Sequence, residues 1–177
     1  LHLSVHSFPT RRSSDLVSGS MEHKIVDGDL CGATFPEDGS VQFGDYWQAC
    51  GDWYEERNIS KEEFAQFPFK NGFWKGDIMV LYGTKPANIE VGDVIVFMDA
   101  AGRPIIHRVV DVQPGPVFQT KGDHNAGQLF PPRSQTINER SVAEEQYVGE
   151  AVFRVPLLGY VKIIFVEAVG YVWRMFQ

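Results

Sequence analysis

Apolar positions in the middle of the chain follow the pattern of strands separated by tight turns. Residues 77–83 and 89–123 alternate β-branched or aromatic runs with Gly, Pro and Asp at short spacing. Residues 147–166 add two further strand-like runs, which break at Pro156 and Gly159. Short apolar runs bounded by such turn residues are typical of antiparallel strands. The pattern therefore predicts a mainly β, antiparallel domain.

Helical periodicity is weaker and lies on either side of this region. Residues 52–67 carry apolar side chains at roughly helical spacing, which predicts one or two short helices between residues 22 and 76. Near the end of the chain, Glu167, Gly170 and Arg174 fall on one side of a helix and leave its other side apolar. We expect a C-terminal amphipathic segment that either lies at a membrane interface or docks on the sheet.

The first sixteen residues differ from the rest of the chain. Residues 6–16 (HSFPTRRSSDL) have neither helical nor strand periodicity, and a codon string that encodes them resembles a common short-read sequencing adapter. We therefore expect residues 1–16 to be a non-native adapter translation and exclude them from the fold. Residues 17–177 are long enough for one domain with a sizeable core, and we expect one.

The acidic charge balance excludes one class of partner. The chain carries a net charge of −7, whereas nucleic-acid binding requires a basic face, so no nucleic-acid partner is expected. Cys31 and Cys50 form no CxxC pattern, and His124 has no second histidine or cysteine at ligand spacing. We therefore expect neither a metal nor a cofactor. No uncharged apolar run is long enough to cross a bilayer.

Three short motifs hold the residue types that serine hydrolysis requires, namely Ser20 in VSGSM, His107 in IIHRVV and Asp123 in TKGDHN. A serine nucleophile needs a base within hydrogen-bond distance of its hydroxyl, and a third group that orients the base. Each motif alone is weak, because Ser and Asp are common in turns and a strand histidine is commonly structural. Their combination indicates a serine hydrolase.

The motifs, together with GDVIVF, YVGEAVFRVP and LGYV, stand in an order that resembles the type I signal peptidases of the archaeal and endoplasmic-reticulum branch. The resemblance covers most of residues 17–166 and implies a signal-peptidase-like β domain. It implies a membrane-associated serine endopeptidase that removes signal peptides from exported preproteins, with its active site on the extracytoplasmic side of the cell membrane. It also implies an anchor helix before residue 17 and contact with membrane lipid, and it leaves open whether accessory subunits are needed.

The same resemblance assigns a role to each motif residue. Ser20 is the expected nucleophile, and His107 is the expected general base at the position where the bacterial branch uses lysine. Asp123 is expected to orient His107. The Ser18 side chain and the backbone N–H of Ser20 are the expected oxyanion-hole donors, and loss of one such donor commonly lowers the rate by roughly 10²–10³.

The chain departs from the family pattern where the eukaryotic members carry a second acid, because that position is Leu129. Gln128 or a glutamate such as Glu139 can substitute in principle, but neither lies in a motif. We expect both side chains to be solvated surface residues.

A second departure is the long interval between Glu22 and the return of the family pattern. Residues 23–72 are predicted to be a surface insertion, which either selects substrate, docks a partner or is a passive appendage. Within it, Cys31 and Cys50 either form a disulfide, since the active site of this family faces an oxidising compartment, or remain free thiols.

Two other functions remain open from the sequence. A self-cleaving repressor-type peptidase shares the β architecture but resembles a lysine-base pattern, which His107 does not fit. A catalytically silent β-rich binding module requires the serine, histidine and aspartate to lie too far apart to cooperate. The distance between the Ser20 hydroxyl and the His107 ring separates this last function from a peptidase.

Overall fold

The computed structural model describes residues 19–156. Ser18, the first sixteen residues and the predicted C-terminal amphipathic segment lie outside this range. Within it the fold is mainly β and antiparallel, with two short helices, as the apolar pattern predicts. Among the described residues, no helix is long and apolar enough to span a membrane.

The 23–72 segment folds from small hairpins and both helices. Strands β1 and β4 pair with each other, as do β2 and β3. Their bounds are β1 (Lys24–Ile25), β2 (Asp29–Leu30), β3 (Ala33–Thr34) and β4 (Gly39–Ser40), followed by helices α1 (Phe43–Glu55) and α2 (Lys61–Phe64).

Local signals explain where the two helices begin and end. Asp45 lies in the first turn of α1, where the helix dipole favours a negative charge. The chain then turns at Asn58, whose φ of 61° is left-handed, and asparagine tolerates that conformation better than most residues. Ser60 caps α2 by accepting a hydrogen bond from the backbone N–H of Glu63. The predicted helical run at residues 52–67 thus divides between two helices, and the first one begins earlier than predicted.

In the described part of the chain, the main sheet has five antiparallel strands in the order β5-β9-β6-β7-β8. Its strands are β5 (Ile78–Tyr82), β6 (Val94–Met98), β7 (Pro104–Gln113), β8 (Val117–Lys121) and β9 (Tyr147–Val155). Strand β7 is buried from Ile106 to Val110, so side chains on both of its faces lie inside the protein. Because successive residues of a strand point to opposite faces, neighbouring β7 residues reach different surroundings.

The 23–72 segment has its own apolar core and shares it with the sheet. Tyr46, Trp47 and Tyr54 of α1 pack with Phe64 of α2 and with Val110 of β7. Aromatic side chains of this size contribute much of the energy of a small core. The segment therefore packs against β7, the strand that carries His107.

Cys31 and Cys50 form a disulfide, with their Cα atoms 5.4 Å apart. The bond joins the β2–β3 hairpin to α1. Of the two alternatives for these cysteines, the structure has the disulfide and not the free thiols.

An apolar surface lies at the edge of the sheet. Within residues 19–156, strand β5 pairs only with β9, and the two strands expose large apolar side chains to solvent. These are Ile78, Val80, Leu81, Tyr82, Val152 and Phe153. Exposed apolar residues on protein surfaces are usually scattered singly. A group of them on two paired strands is typical of an interaction surface.

Candidate active site

Ser20 and His107 lie within hydrogen-bond distance of each other, although 87 positions separate them. The Ser20 Oγ atom is 2.8 Å from His107 Nε2. Ser20 lies in a tight turn, in which the Glu22 N–H donates to the Gly19 carbonyl oxygen at 3.0 Å. His107 is buried in the middle of β7. The structure thus brings together the predicted nucleophile and the predicted base.

The acid that contacts the base is Glu139 and not Asp123. His107 Nδ1 lies 2.5 Å from Glu139 Oε1, and no hydrogen bond joins Asp123 to His107 among the described residues. The prediction that Asp123 orients His107 is therefore wrong. A carboxylate on Nδ1 is the arrangement that leaves Nε2 free to accept a proton from a serine hydroxyl.

The buried Glu139 is held by hydrogen bonds to the backbone of Leu129. The backbone N–H of Leu129 lies 2.5 Å from Glu139 Oε2, and the Glu139 N–H donates to the Leu129 carbonyl oxygen at 2.7 Å. The Thr120 hydroxyl is 3.4 Å from Oε1. Position 129 itself carries a leucine, and Glu139, which pairs with its backbone, brings a carboxylate to this place instead.

The expected solvation of Glu139 and Gln128 is also wrong. Glu139 has an exposed fraction of 0% and Gln128 of 6%. The Gln128 amide donates to the backbone carbonyl oxygens of Thr120 and Glu139, both at 3.1 Å. Gln128 therefore fixes the backbone that carries the carboxylate, and it does not replace the carboxylate.

Asp123 is the partner of Arg108, the neighbour of His107 on β7. Arg108 Nε and Nη2 donate to the two carboxylate oxygens at 2.9 and 2.7 Å, and both side chains are fully buried. Burial alone raises the pKa of Asp123, but the Arg108 charge and hydrogen bonds from His23 and Arg108 hold the pKa far below its usual range. Asp123 is therefore ionised at neutral pH although it is buried.

The backbone beside Asp123 forms one wall of the site. The His124 N–H donates to the Ser20 carbonyl oxygen at 2.8 Å. A Cβ atom on Gly122 would lie 2.9 Å from His107 Nε2 and 2.9 Å from the Ser20 carbonyl oxygen. Because real Cβ atoms do not approach so closely, only glycine fits there without displacement. Residues 122–124 therefore define the space in which the serine and the histidine meet.

A second cation, Lys121, is buried beside the same backbone. Its ammonium group donates to the carbonyl oxygens of Gly122 and Asp123 at 3.1 and 3.3 Å, and it lies over the rings of Trp53 and Tyr54. Burial lowers the pKa of Lys121 to about 8, against the opposing attraction of Asp123. The lysine thus ties β8 to the 23–72 segment.

The predicted oxyanion-hole donors are only partly within the described residues. Ser18 lies outside them, and Ser20 lies in the turn that Gly19 and Glu22 close.

Among the described residues, no group of three His, Cys, Asp or Glu side chains could hold a metal ion.

Sequence reasoning missed three side chains around Asp123, namely His23, Tyr46 and Tyr54. Each lies in the 23–72 segment, outside every family motif. Their contacts depend on how α1 docks, so no local pattern in the sequence indicated them. Glu139 was considered as a substitute acid, but it lies in no motif, and its contact with His107 depends on how residues 129 and 139 pair.

Comparisons with known proteins support the motif resemblance. The chain is 38% identical over 102 residues to the signal peptidase complex catalytic subunit SEC11 of Eremothecium gossypii, covering 54% of this chain and 59% of the relative. It is 33% identical over 110 residues to the SEC11 subunit of Candida tropicalis, covering 58% and 63%. The SEC11 subunit of Lachancea thermotolerans is 37% identical over 100 residues, covering 51% and 56%.

The matches cover only part of each protein. The chain spans about three-fifths of the length of these relatives. No protein-family profile matches the chain, and no solved structure matches it significantly. The resemblance to the endoplasmic-reticulum branch of type I signal peptidases is nevertheless confirmed, since the matched part of the chain is homologous to SEC11 catalytic subunits.

Proposed function

We propose that this chain is the catalytic part of a membrane-associated serine endopeptidase that removes N-terminal signal peptides from exported preproteins. The observation that carries the proposal is the hydrogen-bonded line from Ser20 through His107 to Glu139. Homology to SEC11 catalytic subunits supports the substrate class. In this proposal Glu139 takes the orienting role that the motifs suggested for Asp123.

The first step is attack by the serine. With the Nδ1–H of neutral His107 donated to Glu139, Nε2 is unprotonated and accepts the hydroxyl proton of Ser20. The Oγ atom attacks the carbonyl carbon of the scissile peptide bond as this proton moves. The negative charge of Glu139 stabilises the imidazolium that forms.

The remaining steps return the site to its starting state. The backbone N–H of Ser20 and the hydroxyl of Ser18 are the proposed donors to the negatively charged oxygen of the tetrahedral intermediate. His107 gives its proton to the leaving amine, which releases the mature protein and leaves the signal peptide as an ester on Ser20. A water molecule, deprotonated by His107, then attacks the ester carbonyl; the bond to Ser20 Oγ breaks, the signal peptide leaves as a carboxylate, and His107 returns the proton to Oγ.

The substrate is proposed to bind in extended form, with small residues at the first and third positions before the cut. An extended peptide can add to an exposed strand and fill pockets with alternate side chains. Such a strand uses the backbone for affinity and the pockets for specificity. This mode therefore suits substrates that share little sequence beyond two small side chains.

The apolar surface of β5 and β9 supports a position against a membrane. Tyr82 and Phe153 are 66% and 61% exposed. Exposure of their apolar surface to water is unfavourable, and contact with lipid removes that cost. We propose that this surface faces the bilayer on the extracytoplasmic side.

Particular observations disfavour both alternative functions. The base in contact with the Ser20 hydroxyl is a histidine, and a repressor-type peptidase uses a lysine there. A silent binding module requires a long separation between Ser20 and His107, whereas the two atoms are 2.8 Å apart.

The test of the proposed function is cleavage of a preprotein with alanines at the first and third positions before the cut, in detergent–phospholipid micelles. Wild-type protein is expected to cut directly after the alanine at the first of these positions. Ser20→Ala and His107→Gln are expected to abolish cleavage and to retain the fold. Ser141→Ala is the matched control, because Ser141 is exposed and lies outside the site. Cleavage by Ser20→Ala at the wild-type rate contradicts the proposal.

A further inference from the structure

The Asp123 carboxylate is held by the 23–72 segment as well as by the sheet. From the sheet, Arg108 donates one hydrogen bond to each carboxylate oxygen. From the segment, the Tyr54 hydroxyl donates to Oδ1 at 3.2 Å and His23 Nε2 lies 3.2 Å from Oδ2. Because a carboxylate has about four acceptor positions, these four contacts fill it. Asp123 therefore has no free lone pair with which to orient His107.

The segment also holds the backbone on either side of this carboxylate. The Tyr46 hydroxyl donates to the Asp123 carbonyl oxygen at 3.0 Å, and the Cys31 N–H donates to the His124 carbonyl oxygen at 3.0 Å. The disulfide from Cys31 to Cys50 joins this second contact to α1, the helix that carries Tyr46. Helix α1 and the β2–β3 hairpin thus act on residues 122–124 as one covalently linked unit.

His23 is fixed in position by stacking. Its ring lies parallel to the Tyr46 ring, at an angle of 3° with the centroids 3.5 Å apart. Burial lowers the pKa of His23, although the hydrogen bond to Asp123 opposes the shift. His23 is therefore a neutral donor through Nε2, and its Nδ1 atom is buried with no hydrogen-bond partner among the described residues.

We propose that Tyr54, Tyr46 and His23 are positioning residues for the reaction, so that the 23–72 segment is part of the catalytic apparatus and not a passive appendage. They act through residues 122–124, whose His124 N–H binds the Ser20 carbonyl oxygen and whose Gly122 contacts the place where Ser20 and His107 meet. This inference rests on the proposed peptidase function.

The proposal predicts an effect on turnover and not on substrate affinity. None of these side chains has a hydrogen bond to Ser20, His107 or Glu139 among the described residues, so their loss removes none of the reacting groups. Their loss does loosen the wall that sets the distance between Ser20 and His107, and a small misplacement of reacting groups costs much of the rate.

The test compares Tyr54→Phe with Tyr147→Phe. The first variant deletes the hydroxyl that binds Asp123. The matched control deletes a buried hydroxyl that has no hydrogen-bond partner among the described residues. Both are assayed on the alanine-bearing preprotein, at a temperature where thermal unfolding curves give the same folded fraction. A hydrogen bond of ordinary net strength corresponds to a change of up to roughly tenfold in rate.

The expected result is a five- to tenfold lower kcat for Tyr54→Phe, about the factor that loss of one such bond allows, with KM within about twofold of wild type. Tyr147→Phe is expected to leave both constants unchanged. Tyr46→Phe provides a second variant in the same network, and its effect is expected to be less than additive with Tyr54→Phe, because the two hydroxyls lie 3.3 Å apart.

A merely structural role predicts a different outcome. If Tyr54→Phe and Tyr46→Phe lower the unfolding temperature but keep the kcat of the Tyr147→Phe control in fully folded protein, the inference is overturned. That result leaves the proposed function intact, provided that wild-type protein cleaves and Ser20→Ala does not. If wild-type protein does not cleave any preprotein, the proposed function fails, and this inference falls with it.

Discussion

Glu139 reaches His107 across 32 positions of sequence, and its Oε1 atom lies 2.5 Å from the Nδ1 atom of the ring. The carboxylate enters the site beside Leu129, at the position where the eukaryotic relatives of the motif pattern carry an acid. In this chain, Leu129 stands at that position and its backbone N–H binds the Glu139 carboxylate. The two carboxylates near His107 consequently have separate tasks, one on the imidazole and one on Arg108.

Glu139→Gln is expected to lower kcat by roughly 10³–10⁴, because an amide no longer fixes the reactive tautomer or stabilises the imidazolium. The KM value is expected to change little, since Glu139 does not face the substrate. Steady-state kinetics on the alanine-bearing preprotein measures both constants. Glu145→Gln, an exposed glutamate, is the control. A Glu139→Gln enzyme within tenfold of wild type contradicts the assignment of the acid.

Asp123→Asn is expected to lower the stability of the protein. Removal of the charge leaves Arg108 buried without its anionic partner, and breaking such a pair costs about 3 kcal/mol or more. Urea unfolding followed by tryptophan fluorescence measures the loss, with the exposed Asp52→Asn as control. A change below about 1 kcal/mol, within the range of an exposed ion pair, means that the Arg108–Asp123 pair does not hold the interior together.

Different parts of this architecture were predictable to different degrees. The strands of the sheet are visible in the sequence because alternation and turn residues are local signals. Ser20 and His107 are visible because each lies inside a motif. Glu139 and Tyr54 are not, because their roles depend on which distant segments pack together. The motif around Asp123 indicated a role for this carboxylate but not its partner, which is Arg108 and not His107.

Stability at alkaline pH is expected to depend on Lys121. Burial lowers its pKa from 10.5 to about 8, so between these two values the unfolded chain binds more protons than the folded protein. The free energy of unfolding contributed by this group therefore rises with pH across that interval, by ~3 kcal/mol in total. The measurement is urea unfolding of wild type and Lys121→Met from pH 7 to 10.5.

The wild-type curve is expected to rise relative to the Lys121→Met curve, whatever the offset between the two at pH 7. Lys70→Met, at an exposed position, is the control and is expected to run parallel to wild type. If the difference between wild type and Lys121→Met stays constant with pH, the ammonium group is not held in a desolvated state.

Removal of the Cys31–Cys50 disulfide is expected to lower the free energy of unfolding by about 3 kcal/mol, because the closed loop spans 19 positions and the reduced chain gains conformational entropy when unfolded. The double variant Cys31→Ala with Cys50→Ala is compared with wild type by urea unfolding, with and without a reductant. The reductant is expected to affect only the wild type. Equal stability of reduced and oxidised wild type means that the bond does not constrain the segment.

Capture of the ester intermediate shows directly whether Ser20 is the nucleophile. Wild-type protein mixed with excess preprotein is quenched in acid within the first turnover, digested and analysed by mass spectrometry. The C-terminal residues of the signal peptide are expected to be linked to the fragment that contains Ser20. His107→Gln is expected to lower the yield of this adduct, and Ser20→Ala to eliminate it. An adduct on another residue, or cleavage by the Ser20→Ala protein at the wild-type rate, shows that Ser20 is not the nucleophile.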